Sequence, residues 1–99
     1  MEKLKSMYAD VIKVICEVAE LEQEKLFTSH EESYVDGRAI LVNVLMSAGF
    51  TEKMISRYSK MSQQRINSLK NGFIRRKQKM NVSLCLDEVN RRLPTLTKK

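Results

Sequence analysis

Along the first twenty positions, apolar residues return every three or four: Leu4, Met7, Tyr8, Val11, Ile12, Ile15, Val18 and Ala19. On a 3.6-residue helix that spacing draws one stripe, so it predicts an amphipathic helix from about Glu2 to about Ala19. Leu21, Leu26 and Phe27 follow among Glu22, Gln23, Glu24 and Lys25, as in a short helical turn tucked under a core. Residues 28–33 are polar and read as a loop, with His30 exposed in it. A second long helix is expected to open near residues 34–36 and to stop at Gly49, a residue suited to a helix C-terminus. Val35, Ala39, Ile40, Val42, Leu45, Met46 and Ala48 make it apolar around much of its circumference, so it should be the central, buried helix.

The next segment changes period within about twenty-five residues. Thr51 is a good helix cap ahead of Met54, Ile55 and Tyr58; Ser59-Lys60-Met61 breaks the pattern. Ser62 is a second cap, after which Ile66, Leu69 and Phe73 with Ile74 restore the three-four spacing. A short helix, a tight turn and a longer helix are therefore expected over about residues 51–77. A DNA-reading helix-turn-helix needs a buried residue beside a small one in its first helix. It also needs one apolar side chain in the turn and two buried positions three apart in the second helix. Ile55 with Ser56, Met61, and Ile66 with Leu69 supply these. Lys60 stands where such turns often carry Gly, which leaves room for a longer or differently bent turn. A last helix is expected from about residue 83 to about residue 93, with Leu86, Val89 and Leu93 inward. Pro94 lies just beyond it, and residues 95–99 read as a frayed tail.

With no repeat and no linker, the whole reads as all-α: one compact domain of about five helices over residues 1–94, followed by the tail. Three Gly and one Pro among 99 residues agree with long helices. Charge alters this picture more than composition does. Residues 1–52 carry five bases and ten acids. Residues 53–86 carry nine bases and no acid: Lys53, Arg57, Lys60, Arg65, Lys70, Arg75, Arg76, Lys77 and Lys79. The net charge of +6 thus gathers in one region, which either is a solvated basic face or attracts a polyanion.

With Ile66, Leu69 and Phe73 inward, the outward face of the second helix is Gln63, Gln64, Asn67, Ser68 and Asn71, flanked by Arg65 and Lys70. Gln and Asn can pair with adenine, Ser with either type of base edge, and Arg and Lys with guanine or phosphate. A cap at Ser62 would also turn free backbone N–H groups toward a phosphate. Arg75, Arg76, Lys77 and Lys79 would extend the grip. Arg38, in the first turn of the central helix, gains nothing from the helix dipole. It either works outside the helix or pairs with Asp36 or Glu32.

The order of these elements resembles the C-terminal DNA-binding domain of the bacterial replication initiator DnaA, in the Trp-repressor-like superfamily. The resembling parts begin with Val11-Ile12-Lys13-Val14-Ile15-Cys16-Glu17-Val18-Ala19 and Leu21-Glu22-Gln23-Glu24-Lys25-Leu26-Phe27. Val35-Asp36-Gly37-Arg38-Ala39-Ile40-Leu41-Val42, Thr51-Glu52-Lys53-Met54-Ile55 and the helix at Ser62 continue them, about two-thirds of the chain. The resemblance implies DNA contacts from Arg38, Ser62, Gln63, Gln64, Arg65, Asn67 and Ser68. Ahead of the second helix the chain reads Lys60-Met61-Ser62-Gln63-Gln64-Arg65, where that family has a Gly-Arg-Asp-His-Thr type run. An ATPase domain is also not read in the sequence, so the chain is not expected to be a replication initiator in itself, and that family's target sequence is not implied.

Taken together, the expected function is double-stranded DNA binding by a small bacterial, cytoplasmic regulator of transcription or accessory factor of a mobile element. The expected contacts are Arg38, Lys60, Ser62, Gln63, Gln64, Arg65, Asn67, Ser68, Lys70, Asn71 and Arg75. The alternative is a protein-interaction adaptor that keeps the fold without the DNA; its acidic first helix would dock a basic partner or simply be solvated. A homodimer is also open, and six Met would suit an adaptable interface or an irregular core. Single-stranded RNA recognition wants stacked aromatics, and the basic stretch has only Tyr58 and Phe73. No carboxylate pair, Cys–His pairing or phosphate loop points to catalysis. Cys16 and Cys85, both at apolar positions, are expected as free thiols, with no metal or cofactor. No apolar run is long enough to span a bilayer, and the first residues lead into an amphipathic helix rather than an apolar leader.

Overall fold

The computed structural model describes residues 2–93. Pro94 and the tail expected at 95–99 lie outside them. The described residues form six α-helices and one 3-10 turn, with no strand. α1 spans Glu2–Ala19, as its stripe predicts, and buries Val11, Ile12, Ile15 and Cys16. It ends at Glu20, whose φ of 59° lies in the left-handed region, while Leu21 N–H bonds back to the Cys16 carbonyl at 2.9 Å. A 3-10 turn, Gln23–Lys25, follows where a short helical turn was expected.

α2, Glu32–Ser47, is the centre of the fold and touches each of the other five helices. Its start lies about one turn ahead of the expected one. Glu32 supplies an acid to the first turn, where it complements the helix dipole. Beyond Ser47 the chain reverses at Gly49, with φ of 107°, a conformation that suits Gly because it has no Cβ. Phe50 N–H then closes onto the Leu45 carbonyl at 2.9 Å, and the Phe50 ring is buried.

α3 (Glu52–Ser59) and α4 (Gln63–Asn71) each begin with the expected cap. Thr51 Oγ1 accepts from Met54 N–H and Ser62 Oγ from Arg65 N–H, both at 3.1 Å. The longer second helix expected here does not run on to residue 77. It breaks at Gly72, the weakest helix former available short of Pro, and a five-residue helix, α5 (Phe73–Lys77), follows. There are six helices instead of about five for this reason. Phe73 stays buried, but Ile74 is 75% exposed, contrary to the expected pairing of the two. α6 spans Met80–Arg92 and starts three residues early, because Val82 begins the buried row that Leu86 and Val89 continue.

One continuous core joins residues from all six helices, so the described residues form a single domain. An aromatic group pins α3 against α1. Tyr58 stacks on Tyr8 at a ring separation of 5.2 Å and meets the Phe50 edge at 6.1 Å. Burial pushes the Tyr8 hydroxyl up to about 12. With a folded value above the unfolded one, near 10, stability is complete below about pH 10 and falls as the pH rises toward about 12. Urea unfolding at pH 9 and pH 11.5 should therefore show Tyr8→Phe losing roughly 1–2 kcal/mol less than wild type. Equal losses would mean that the Tyr8 hydroxyl reaches solvent.

Candidate nucleic-acid interface

α4 is held by its inner row. Ile66 and Leu69 are buried, and Phe73 continues the row beyond the break. Gln63, Gln64, Arg65, Asn67, Ser68, Lys70 and Asn71 are all exposed, so the expected outward face is outward. The cap at Ser62 uses its Oγ for Arg65 N–H and leaves the backbone N–H groups of Gln63 and Gln64 without partners among the described residues. Asn71 donates to Asn67 Oδ1 at 3.1 Å, one helical turn apart. That bond aligns the two amides and leaves each with a further donor.

The turn between α3 and α4 has three residues, 60–62. Lys60 adopts φ 71°, ψ 5°, the left-handed conformation that Gly takes without strain. Its N–H reaches the Ser56 carbonyl at 2.8 Å. Ser56 Oγ donates to the Met61 carbonyl at 2.6 Å, and Met61 N–H donates to Ser59 Oγ at 3.1 Å. Met61 packs on the edge of the core. The turn has three residues, and two serines hold a lysine in the left-handed conformation that suits glycine. A non-Gly residue there costs about 1 kcal/mol. Lys60→Gly should raise stability by about 0.5–1 kcal/mol in urea denaturation while removing an exposed cation. A fall would mean that the lysine stem packs well enough to outweigh the strain.

Not every predicted site residue reaches this surface. Arg38 is 1% exposed and cannot touch a macromolecular partner. Nor does it pair with Asp36 or Glu32. Its Nη1 donates to the Leu26 carbonyl at 2.6 Å and Nη2 to the Ser29 carbonyl at 2.9 Å, while Nε has no partner. Position 38 faces the chain between α1 and α2, where backbone carbonyls would otherwise be unmet. Tyr34 helps to fix the same segment, its hydroxyl accepting from Glu22 N–H at 2.9 Å. Burial, and then the nearby Arg65 and Arg76 guanidinium groups, push Arg38 below its usual pKa.

The basic stretch is also partly neutralised. Lys70 pairs with Glu52 at 2.7 Å, tying α4 to the start of α3. Arg76 and Lys79 pair with Asp36 and Glu32. Of the nine bases in residues 53–86, Lys53, Arg57, Lys60, Arg65, Arg75 and Lys77 have no ion pair among the described residues. Arg75 and Ser68 line a groove of about 530 Å³ beside α4, together with Glu32, Leu69, Gly72, Arg76 and Lys79. Glu32 and Asp36 were visible in the sequence, but their cations lie 40 to 47 positions away, so no local signal paired them.

A second groove, about 390 Å³, runs between the end of α1, the start of α2 and α6. Val18, Ala19, Ile40, Val82, Leu84 and Cys85 make it mainly apolar. Burial raises the Cys16 and Cys85 thiols, so both stay protonated near neutral pH, and neither is in a disulfide. Among the described residues, no three His, Cys, Asp or Glu lie together as a metal site would require. No described helix is long and apolar enough to cross a membrane. Comparison of the chain with protein-family models, with curated proteins and with solved structures gave no match.

Proposed function

We propose that this protein binds double-stranded DNA, with α3, the turn at 60–62 and α4 acting as a helix-turn-helix. The observation that carries the proposal is the outward face of α4. It presents Gln63, Gln64, Arg65, Asn67 and Ser68 without an acid, on a helix anchored by Ile66 and Leu69. In such a unit the first turns of the second helix meet base edges in the major groove. Gln63, Gln64 and Asn67 have the amides that pair with adenine, and Arg65 can reach guanine or phosphate. Lys60 and Arg75 stand ready for the flanking phosphates. Ser62 contributes through its cap, which frees the N–H groups of Gln63 and Gln64 for a phosphate. Lys70 and Asn71 lie farther along, and Lys70 must first leave Glu52.

The proposed role is that of a small bacterial, cytoplasmic regulator of transcription or mobile-element accessory factor, without catalysis, resembling the DNA-binding domain of DnaA. Fluorescence anisotropy of a labelled random 20-base-pair duplex, titrated from 0.05 to 0.2 M salt, tests it. Binding is expected at the lowest salt, with log K falling linearly against log[salt] at roughly −3 to −5, about 0.9 per phosphate contact. No binding at 0.05 M salt would defeat the proposal. The adaptor reading would then gain ground, since Leu84, 62% exposed, lines the mainly apolar groove between α1, α2 and α6, and Met80, 76% exposed, begins the same helix.

A further inference from the structure

Two carboxylates one helical turn apart on α2 hold the same pair of cations in different ways. Asp36, its side chain 6% exposed, takes a 2.8 Å bond from Arg76 Nη1 and another from Lys79 Nζ. Glu32, with a side chain 71% exposed, takes a 2.6 Å bond from Lys79 Nζ and lies 3.5 Å from Arg76 Nη1. The buried carboxylate thus fixes the cations from beneath, and the exposed one covers them from solvent. The groove beside α4 opens at the same place, and Arg75 adds a third cation that has no carboxylate of its own. Three cations therefore face two carboxylates, one of them built in and the other able to swing away.

We propose that this groove is a phosphate site, and that in the free protein the Glu32 carboxylate stands where a phosphate group of a DNA backbone binds. The proposal rests on the DNA-binding reading above. Carboxylate and phosphate oxygens accept the same charge-assisted bonds, and a phosphate offers more oxygens to Arg75, Arg76 and Lys79 together. An exposed ion pair is weak, so Glu32 gives way at small cost. Asp36, buried, stays and keeps Arg76 and Lys79 aimed at the groove. Ser68 joins the two surfaces: it lies on the outward face of α4 and also lines the groove. A phosphate bound there would flank the helix that enters the major groove, and Glu32 would act as a brake on binding.

Glu32→Gln removes the occupant. Glu31→Gln removes the same charge one residue away, from a side chain without an ion pair among the described residues. Two probes separate the claims. In ¹H–¹⁵N spectra, pyrophosphate should shift the amides of Ser68, Gly72, Arg75 and Arg76, and bind Glu32→Gln roughly three- to tenfold more tightly than wild type or Glu31→Gln. In anisotropy, Glu32→Gln should gain the same factor for the labelled duplex. If pyrophosphate shifts none of these amides, the groove is not a phosphate site; if it shifts them and the two Gln variants bind it alike, Glu32 is not the occupant and the proposal is overturned. If the duplex binds and does not distinguish the two Gln variants, the brake on DNA binding is refuted. If pyrophosphate behaves as expected and no variant binds duplex, the phosphate site stands and the DNA-binding proposal falls.

Discussion

Reversing charge at Arg65 and Arg75 together is expected to weaken duplex binding about 200-fold at 0.05 M salt and about 30-fold at 0.15 M, from the loss of two phosphate contacts. The shrinking ratio is the useful part. Each contact releases condensed counterions, so its value falls as salt rises, and a variant lacking two contacts should show a salt slope shallower by about 1.8. A variant that had merely unfolded would lose binding at every salt concentration and would also lose its helical circular dichroism. These two residues are chosen because both are exposed and neither has an ion pair among the described residues. Lys70→Glu should do less as a single change, since Lys70 already spends its charge on Glu52. A loss as large at Lys70 as at Arg65 would mean that the helix sits on DNA with its far end, not its capped end.

For Arg38 the expected outcome is a loss of stability without a loss of DNA affinity. Arg38→Ala should cost about 3 kcal/mol, since it opens a cavity and strands the Leu26 and Ser29 carbonyls. Part of that cost is offset because a buried guanidinium without a carboxylate, close to Arg65 and Arg76, is itself unfavourable. Arg38→Met keeps most of the volume but strands the same two carbonyls, so it should cost less than Arg38→Ala, about 2 kcal/mol. Urea denaturation measures both. Below its melting temperature, Arg38→Met should bind duplex within about threefold of wild type, the scale of losing one distant charge. The proposed resemblance to DnaA would put a DNA contact at this position, and a loss of tenfold or more in the folded variant would restore it. The geometry favours the structural role, because a side chain 1% exposed has no surface to offer.

Helical periodicity was legible wherever burial is one-sided. α1 matches its stripe, Thr51 and Ser62 cap as their chemistry requires, and the inner rows of α3, α4 and α6 were visible as apolar spacings. These are local effects, set by side chains within a few positions of one another. Boundaries were less legible. The early starts of α2 and α6 depend on Glu32 and Val82 gaining neighbours from other helices, and the break at Gly72 separates a buried Phe73 from an exposed Ile74.

The sequence by itself determined an all-helical chain, the outward face of α4 and an acid-free basic segment, because each follows from residue type and spacing along one stretch. Only the tertiary structure decided which of those cations remain available. Glu52 takes Lys70, while Asp36 and Glu32 take Arg76 and Lys79. Arg38, read as a surface cation, turned inward because the segment joining α1 to α2 left two carbonyls in need of a donor. Charge pairing and burial depend on distances between residues far apart in the chain, and those distances exist only once α2 has been surrounded.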